Sequence, residues 1–407
     1  RIFLRAGRIV NANYSIAGNG RGVNDADLIR YIFTHSAHTD SMTIQEKERW
    51  QMGQMRGKAS LAFERPPVIL SSGSVAGSKE GQGPLGPFFD RVETDDRMGE
   101  DSWELAESAM QRQAARIALK KAGLFPADVR YAFAGDLLGQ LIATSFGNLD
   151  LAVPLFGLYG ACSTMGEAMG LGAMTVAGGF GDRVLAMASS HFATAEKQFR
   201  FPLAYGNQRP LSSTWTVTGC GAVVIGAGTE PAADKDPGRR NGCGVRLPST
   251  CGLARIAGIT TGRLVDVGAR DSMNMGAAMA PAAFHTIEQN LEDFGVDESW
   301  YDRIVTGDLG EVGSRILLDL MREKGRDLSG IHMDCGVEIY DKEKQDTHAG
   351  GSGCGCSAVT LCAQILPRLQ DGTWRRVLFV PTGALLSTVS FNEGQTIPGI
   401  AHGVILE

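Results

Sequence analysis

Leu155-Phe156-Gly157-Leu158-Tyr159-Gly160-Ala161-Cys162-Ser163-Thr164-Met165-Gly166-Glu167-Ala168-Met169-Gly170-Leu171-Gly172-Ala173-Met174-Thr175-Val176-Ala177 is the stretch that decides the fold. Leu155 to Tyr159 predicts a strand, Gly160-Ala161 a sharp turn, Cys162 to Ala177 a helix, and Arg183 to Ala188 beyond it another strand. Glu167 is the single charge in a helix whose other residues after Ser163 are methionine, alanine, leucine, valine, threonine and glycine. A helix apolar on every side is a buried one, and Gly166, Gly170 and Gly172 would let another backbone come close. The turn sets Cys162 at the first turn of that helix, where unpaired amides and the helix dipole favour a thiolate or a bound anion. Cys162 is thus a candidate nucleophile or the floor of an anion pocket; the plain alternative is a buried cysteine serving as a small hydrophobe.

The same unit occurs twice. Phe133-Ala134-Gly135-Asp136-Leu137 returns as Val305-Thr306-Gly307-Asp308-Leu309, and Gly353-Cys354-Gly355-Cys356-Ser357 opens a second nearly uncharged helix. Arg183-Val184-Leu185-Ala186-Met187 is echoed by Arg376-Val377-Leu378-Phe379-Val380. Two copies imply a duplicated α/β fold with one buried helix per copy, not a solenoid, which needs at least three repeats. Asp136 and Asp308 both end strands, where open α/β sheets bind ligands. Capping the following helix is the role expected of both.

With 407 residues, 43% hydrophobic and 21% charged, the chain has the make-up of a soluble globular protein. Its net charge of −6 argues against a general grip on nucleic acid. No uncharged run is long enough to cross a bilayer, and Arg1-Ile2-Phe3-Leu4-Arg5 lacks a signal-peptide core. Eight cysteines in so long a chain do not make a disulfide scaffold, and Cys354-Gly355-Cys356 is too tight for a usual zinc pair. A reducing compartment, no structural metal and no cofactor are expected.

Residues 1–57 read as an N-terminal extension, 58–295 as a first half carrying an insertion at 228–253, and 296–407 as a second half. Asp101 with Glu104 suggests a capped helix start. Strand Ala254 to Val267 is expected to pair back on strand Thr214 to Gly226 as a hairpin. Between Ser189 and Pro210 lies a loop crowded with His191, Lys197, Gln198 and Arg200, without counterpart in the second copy. Beside Cys162 it could receive a carboxylate; a solvated or dimer-interface loop is the alternative.

Gly83-Pro84-Leu85-Gly86, Ala134-Gly135-Asp136-Leu137-Leu138, Gly160-Ala161-Cys162-Ser163-Thr164, Ser189-Ser190-His191, Gln198-Phe199-Arg200, Thr306-Gly307-Asp308-Leu309, Gly350-Gly351-Ser352-Gly353-Cys354 and Ala401-His402-Gly403 carry a resemblance. From about residue 62 to the end, the chain resembles the stage V sporulation protein AD family of the thiolase and ketoacyl-synthase superfamily. The resemblance implies the five-layered αβαβα thiolase fold with two buried central helices. It also implies a non-catalytic protein of spore-forming bacteria, soluble and peripheral to the spore inner membrane. Its members bind dipicolinic acid (pyridine-2,6-dicarboxylate) and help channel subunits move it, with calcium, into the forming spore and out at germination. A homodimer is the family's habit.

Acyl transfer through a cysteine needs a base and oxyanion donors. Where condensing enzymes carry a His this chain has Gly307-Asp308-Leu309, and Ser352-Gly353-Cys354 stands where they carry an Asn. The expectation is a binding protein on an enzyme's scaffold. Its pocket at the Cys162 helix start, with the helix amides, Ser163, His191, Arg200 and Cys354, would hold a planar aromatic dicarboxylate. A Cys-dependent acyltransferase acting on acyl thioesters and a purely structural subunit are the competing classes.

Overall fold

Alternating runs of Val, Ile, Leu and Ala bounded by glycines form the strands of the computed structural model, which describes residues 54–199, 208–228 and 252–407. Nearly all of the N-terminal extension, nearly all of the 228–253 insertion, and Arg200 lie outside the described residues. The first sheet contains β1 (Val68–Ala76), β2 (Tyr131–Asp136), β3 (Leu155–Gly157), β4 (Arg183–Ser190) and β5 (Gly219–Gly226), in the order β3-β2-β4-β5-β1. β2 is parallel to β3 and β4, whereas β5 is antiparallel to both β4 and β1.

The second sheet repeats this plan. β6 (Ala254–Thr260), β7 (Arg303–Thr306), β8 (His332–Asp334), β9 (Val377–Val380) and β10 (Gly403–Leu406) stand in the order β8-β7-β9-β10-β6, with the same strand senses. β6 also pairs antiparallel with β1, through Ala254 opposite Ile69 and Arg255 opposite Val68, joining the two sheets edge to edge.

Helices follow corresponding strands: α1 (Trp103–Lys121) after β1, α2 (Ile142–Asn148) after β2 and α3 (Thr164–Ala177) after β3. In the second copy α4 (Met275–Phe294) follows β6, α5 (Gly310–Glu323) follows β7, and α6 (Cys354–Thr360) follows β8 and runs through a π turn at Leu361–Ile365. α1 with α2 covers the outer face of the first sheet and α4 packs on α5, while α3 and α6 lie in the middle and touch each other. The five-layered, duplicated architecture is therefore present.

α6 is buried on every side, all of Cys354–Thr360 included, whereas α3, expected to be buried all round, buries Met165 and Met169 at 0% exposure but leaves Glu167 and Leu171 half-buried and Met174 exposed along one stripe. Each fully buried Met or Leu contributes about 1.5–3 kcal/mol. Glycine makes these approaches possible: a Cβ on Gly221 of β5 would stand 2.2 Å from the Ala358 carbonyl oxygen of α6, and one on Gly166 of α3 would stand 3.0 Å from that of His402.

Two local expectations are corrected. β6 ends at Thr260 and makes no hairpin with β5; it is the second copy's equivalent of β1, so it pairs with β10 and belongs to the second sheet although it precedes residue 295. Ser102, not Asp101, caps α1, its hydroxyl accepting from Leu105 N–H at 3.2 Å.

Candidate functional site

Between β3 and α3 the chain turns with Ala161 at φ 48°, the left-handed region that costs a non-glycine residue energy. Local hydroxyls hold it there: Ser163 Oγ donates to the Gly160 carbonyl at 2.7 Å and Thr164 Oγ1 to that of Ala161 at 2.7 Å. The strand Thr382–Ala384 from the second copy presses on the same turn, so closely that a Cβ on Gly383 would stand 2.3 Å from the Gly160 carbonyl oxygen. Cys162 is thereby fixed at the base of a cavity, 4% exposed. Hydroxyls of Ser213, Thr214, Thr216, Ser272 and Ser352 and the side chains of Tyr159, Leu137 and Leu386 line the remainder.

Two of the amides at the helix start are already occupied by the turn itself. Ser163 N–H is taken by the Gly160 carbonyl at 3.0 Å and Thr164 N–H by that of Ala161 at 3.3 Å. The thiol is not activated. Burial pushes its pKa well above the ordinary value, and the nearby Asp308 carboxylate and Cys354 push it further in the same direction. Cys162 is a protonated thiol hydrogen-bonded to Asp308.

Asp308 reaches the site from the end of β7. Its Oδ2 accepts from Gly353 N–H at 2.8 Å and its Oδ1 from Thr382 Oγ1 at 2.9 Å. Burial raises its pKa to about 7, against the lowering effect of the Cys162 and Gly353 hydrogen bonds. The capping role expected of Asp308 is filled by Asp334, whose carboxylate accepts from Leu309 N–H at 2.9 Å and Gly310 N–H at 3.0 Å ahead of α5. Asp136 in the first copy does organise the start of its helix, accepting from Leu138 N–H at 3.0 Å and Thr144 N–H at 2.9 Å. One of two matched aspartates has thus been released to face a thiol.

Of the residues the sequence singled out, Cys162 and Cys354 are brought together, close enough for Cys354 to push up the Cys162 thiol. Cys354 is fully buried and donates to the Ser189 carbonyl at 2.8 Å. Ser163 sits behind Cys162, its hydroxyl engaged in the turn. His191 does not line the cavity: its Nδ1 accepts from Ala193 N–H at 3.1 Å, its Nε2 donates to the Asp96 carbonyl at 2.8 Å, and its ring rests on Trp103. Burial lowers its pKa and keeps it neutral. Lys197 of the same segment is ion-paired to Glu104. The residues missed were Thr382 and the Ser213-Thr214-Trp215-Thr216 run. In that run, alternation turns the two threonines to the cavity and Trp215 away, toward Lys79, Arg209 and Phe192. A hydroxyl-rich strand entry next to a glycine-rich helix start was the available signal.

Residues 57–407 match the family model described as Stage V sporulation protein AD. The chain is 41% identical over 354 residues to the stage V sporulation protein AD of Bacillus subtilis (strain 168), covering 87% of this chain and 98% of that protein. Among solved structures it superposes on AbyA1, a tetronic acid condensing enzyme, with a TM-score of 0.51 at 17% identity, over 84% of this chain and 99% of the other. Human mitochondrial 3-ketoacyl-CoA thiolase gives a TM-score of 0.50 at 12% identity, over 85% and 99% of the two chains. The condensing enzyme and the thiolase share its fold. The chain belongs to the stage V sporulation protein AD family.

Proposed function

We propose that this protein binds dipicolinic acid in the cavity over Cys162 and does not turn it over. The observation that carries the reading is Asp308. A nucleophilic cysteine needs a neighbour that takes its proton and leaves a thiolate, whereas here the neighbour is a buried carboxyl that raises the thiol pKa. The hydroxyls of Ser272 and Ser352 supply donors for a ligand carboxylate, and Tyr159 and Leu386 supply apolar surface for a ring. The chain then acts during sporulation and germination beside channel subunits at the spore inner membrane, as a homodimer; no helix among the described residues is long and apolar enough to cross a membrane.

Calorimetric titration of the full chain with pyridine-2,6-dicarboxylate, beside the 3,5-isomer and the Cys162→Ala variant, tests it. Saturable binding of the 2,6-isomer alone, weakened at least tenfold in Cys162→Ala, is expected. No binding, together with a mass increase on Cys162 after incubation with acyl-CoA, would replace this reading with the acyltransferase.

A further inference from the structure

Helix α3 has a second lined face. Glu167, Gly170, Leu171 and Met174 border a cavity whose other walls include Ile259 at the end of β6 and His402 just before β10. Glu167 is the only charge on α3, and its Oε2 is buried without a hydrogen-bond partner among the described residues. Among the described residues, no lysine or arginine lines the cavity. His402 does not supply a positive charge either: its Nδ1 accepts from Gly262 N–H at 3.3 Å, and burial holds its pKa at about 4, so the ring is neutral. The Thr260 hydroxyl is already engaged by Asn290 Nδ2 at 2.8 Å and Ser60 at 2.8 Å. Among the described residues no wall group donates to Glu167 Oε2, and partial burial raises the pKa of this carboxyl, so a cation set beside it would restore the charged form.

A ligand that brings its own cation and a short hydrocarbon body satisfies both halves of this surface, the carboxylate and the apolar Leu171, Met174 and Ile259. We propose that the cavity between α3, β6 and the start of β10 is a binding site for a small primary ammonium, with Glu167 as its counter-ion. The site is separate from the Cys162 cavity and independent of what that cavity holds. Glu167 nevertheless reaches the turn that carries Cys162: a Cβ on Gly160, two residues before that cysteine, would stand 2.9 Å from Glu167 Oε2.

Calorimetric titration of the full chain with n-butylammonium chloride, sodium butyrate, 1-butanol and potassium chloride tests the assignment. Saturable binding is expected for butylammonium alone, weakened at least tenfold in Glu167→Gln. Gly170→Leu is the second variant, because the nearest atom to a Cβ at Gly170 is Ile259 Cδ1 at 3.7 Å, so the side chain enters the cavity without displacing backbone. It should abolish binding while leaving the melting temperature unchanged or higher. Absence of butylammonium binding, equal binding of butanol or butyrate, or unchanged affinity in either variant overturns the proposal.

Discussion

Removing the Asp308 charge should make Cys162 more reactive. In Asp308→Asn the carboxylate that raises the thiol pKa is gone, and one pKa unit regained multiplies the thiolate fraction about tenfold. Alkylation of Cys162 by iodoacetamide at pH 8, followed by mass spectrometry, should accelerate by about that factor. The same residue bears on stability. Asp308 and Glu80 have folded pKa values raised to about 7 and Glu107 to about 8, so the folded chain holds more protons than the unfolded one above the ordinary carboxyl range. Their stabilising contribution is complete at low pH and is lost as pH rises through those folded values. The buried histidines His285, His332 and His402, lowered to about 4, give the opposite slope only below their ordinary 6.5. Between pH 6.5 and 8, therefore, the urea midpoint should fall, and fall less steeply in Asp308→Asn. Cys162 was legible from its turn, but Asp308 was misassigned, because what relieves it of capping is Asp334, a residue brought alongside only when β8 pairs with β7.

Close backbone contact sets the tolerances of the central layer. Gly221→Ala forces a methyl against the Ala358 carbonyl and should destabilise the fold by about 1–3 kcal/mol, as overpacking does. Ser102→Ala should cost about 1 kcal/mol through the lost cap of α1. Urea denaturation of both variants checks the pair. Helices were readable because apolar composition and glycine spacing are local. β6 was misread because pairing is not: nothing in Ala254 to Thr260 says whether the partner is β5, a short excursion away, or β10, near the end of the chain.

Across the whole molecule, the duplication visible in Gly135-Asp136 and Gly307-Asp308 fixes two sheets of identical order and sense. Two similar halves have been set to different tasks, one presenting the thiol and the other the carboxyl that restrains it. A ligand seated between them binds only the assembled state, so dipicolinate at about a hundred times its dissociation constant should add about 2.7 kcal/mol to the unfolding free energy. A rise in melting temperature with the 2,6-isomer and none with the 3,5-isomer is the expected result.

Cys162 comes from one copy, while Asp308, Gly353 and Thr382 come from the other. If the polypeptide is severed between β5 and β6 and the two fragments are produced separately, neither carries a complete cavity, and they would reunite along the edge-to-edge seam of β1 with β6 and along the face where α6 lies on β4 and β5. Such a split pair would report ligand as reassembly, turning occupancy of one small pocket into the association of two polypeptides.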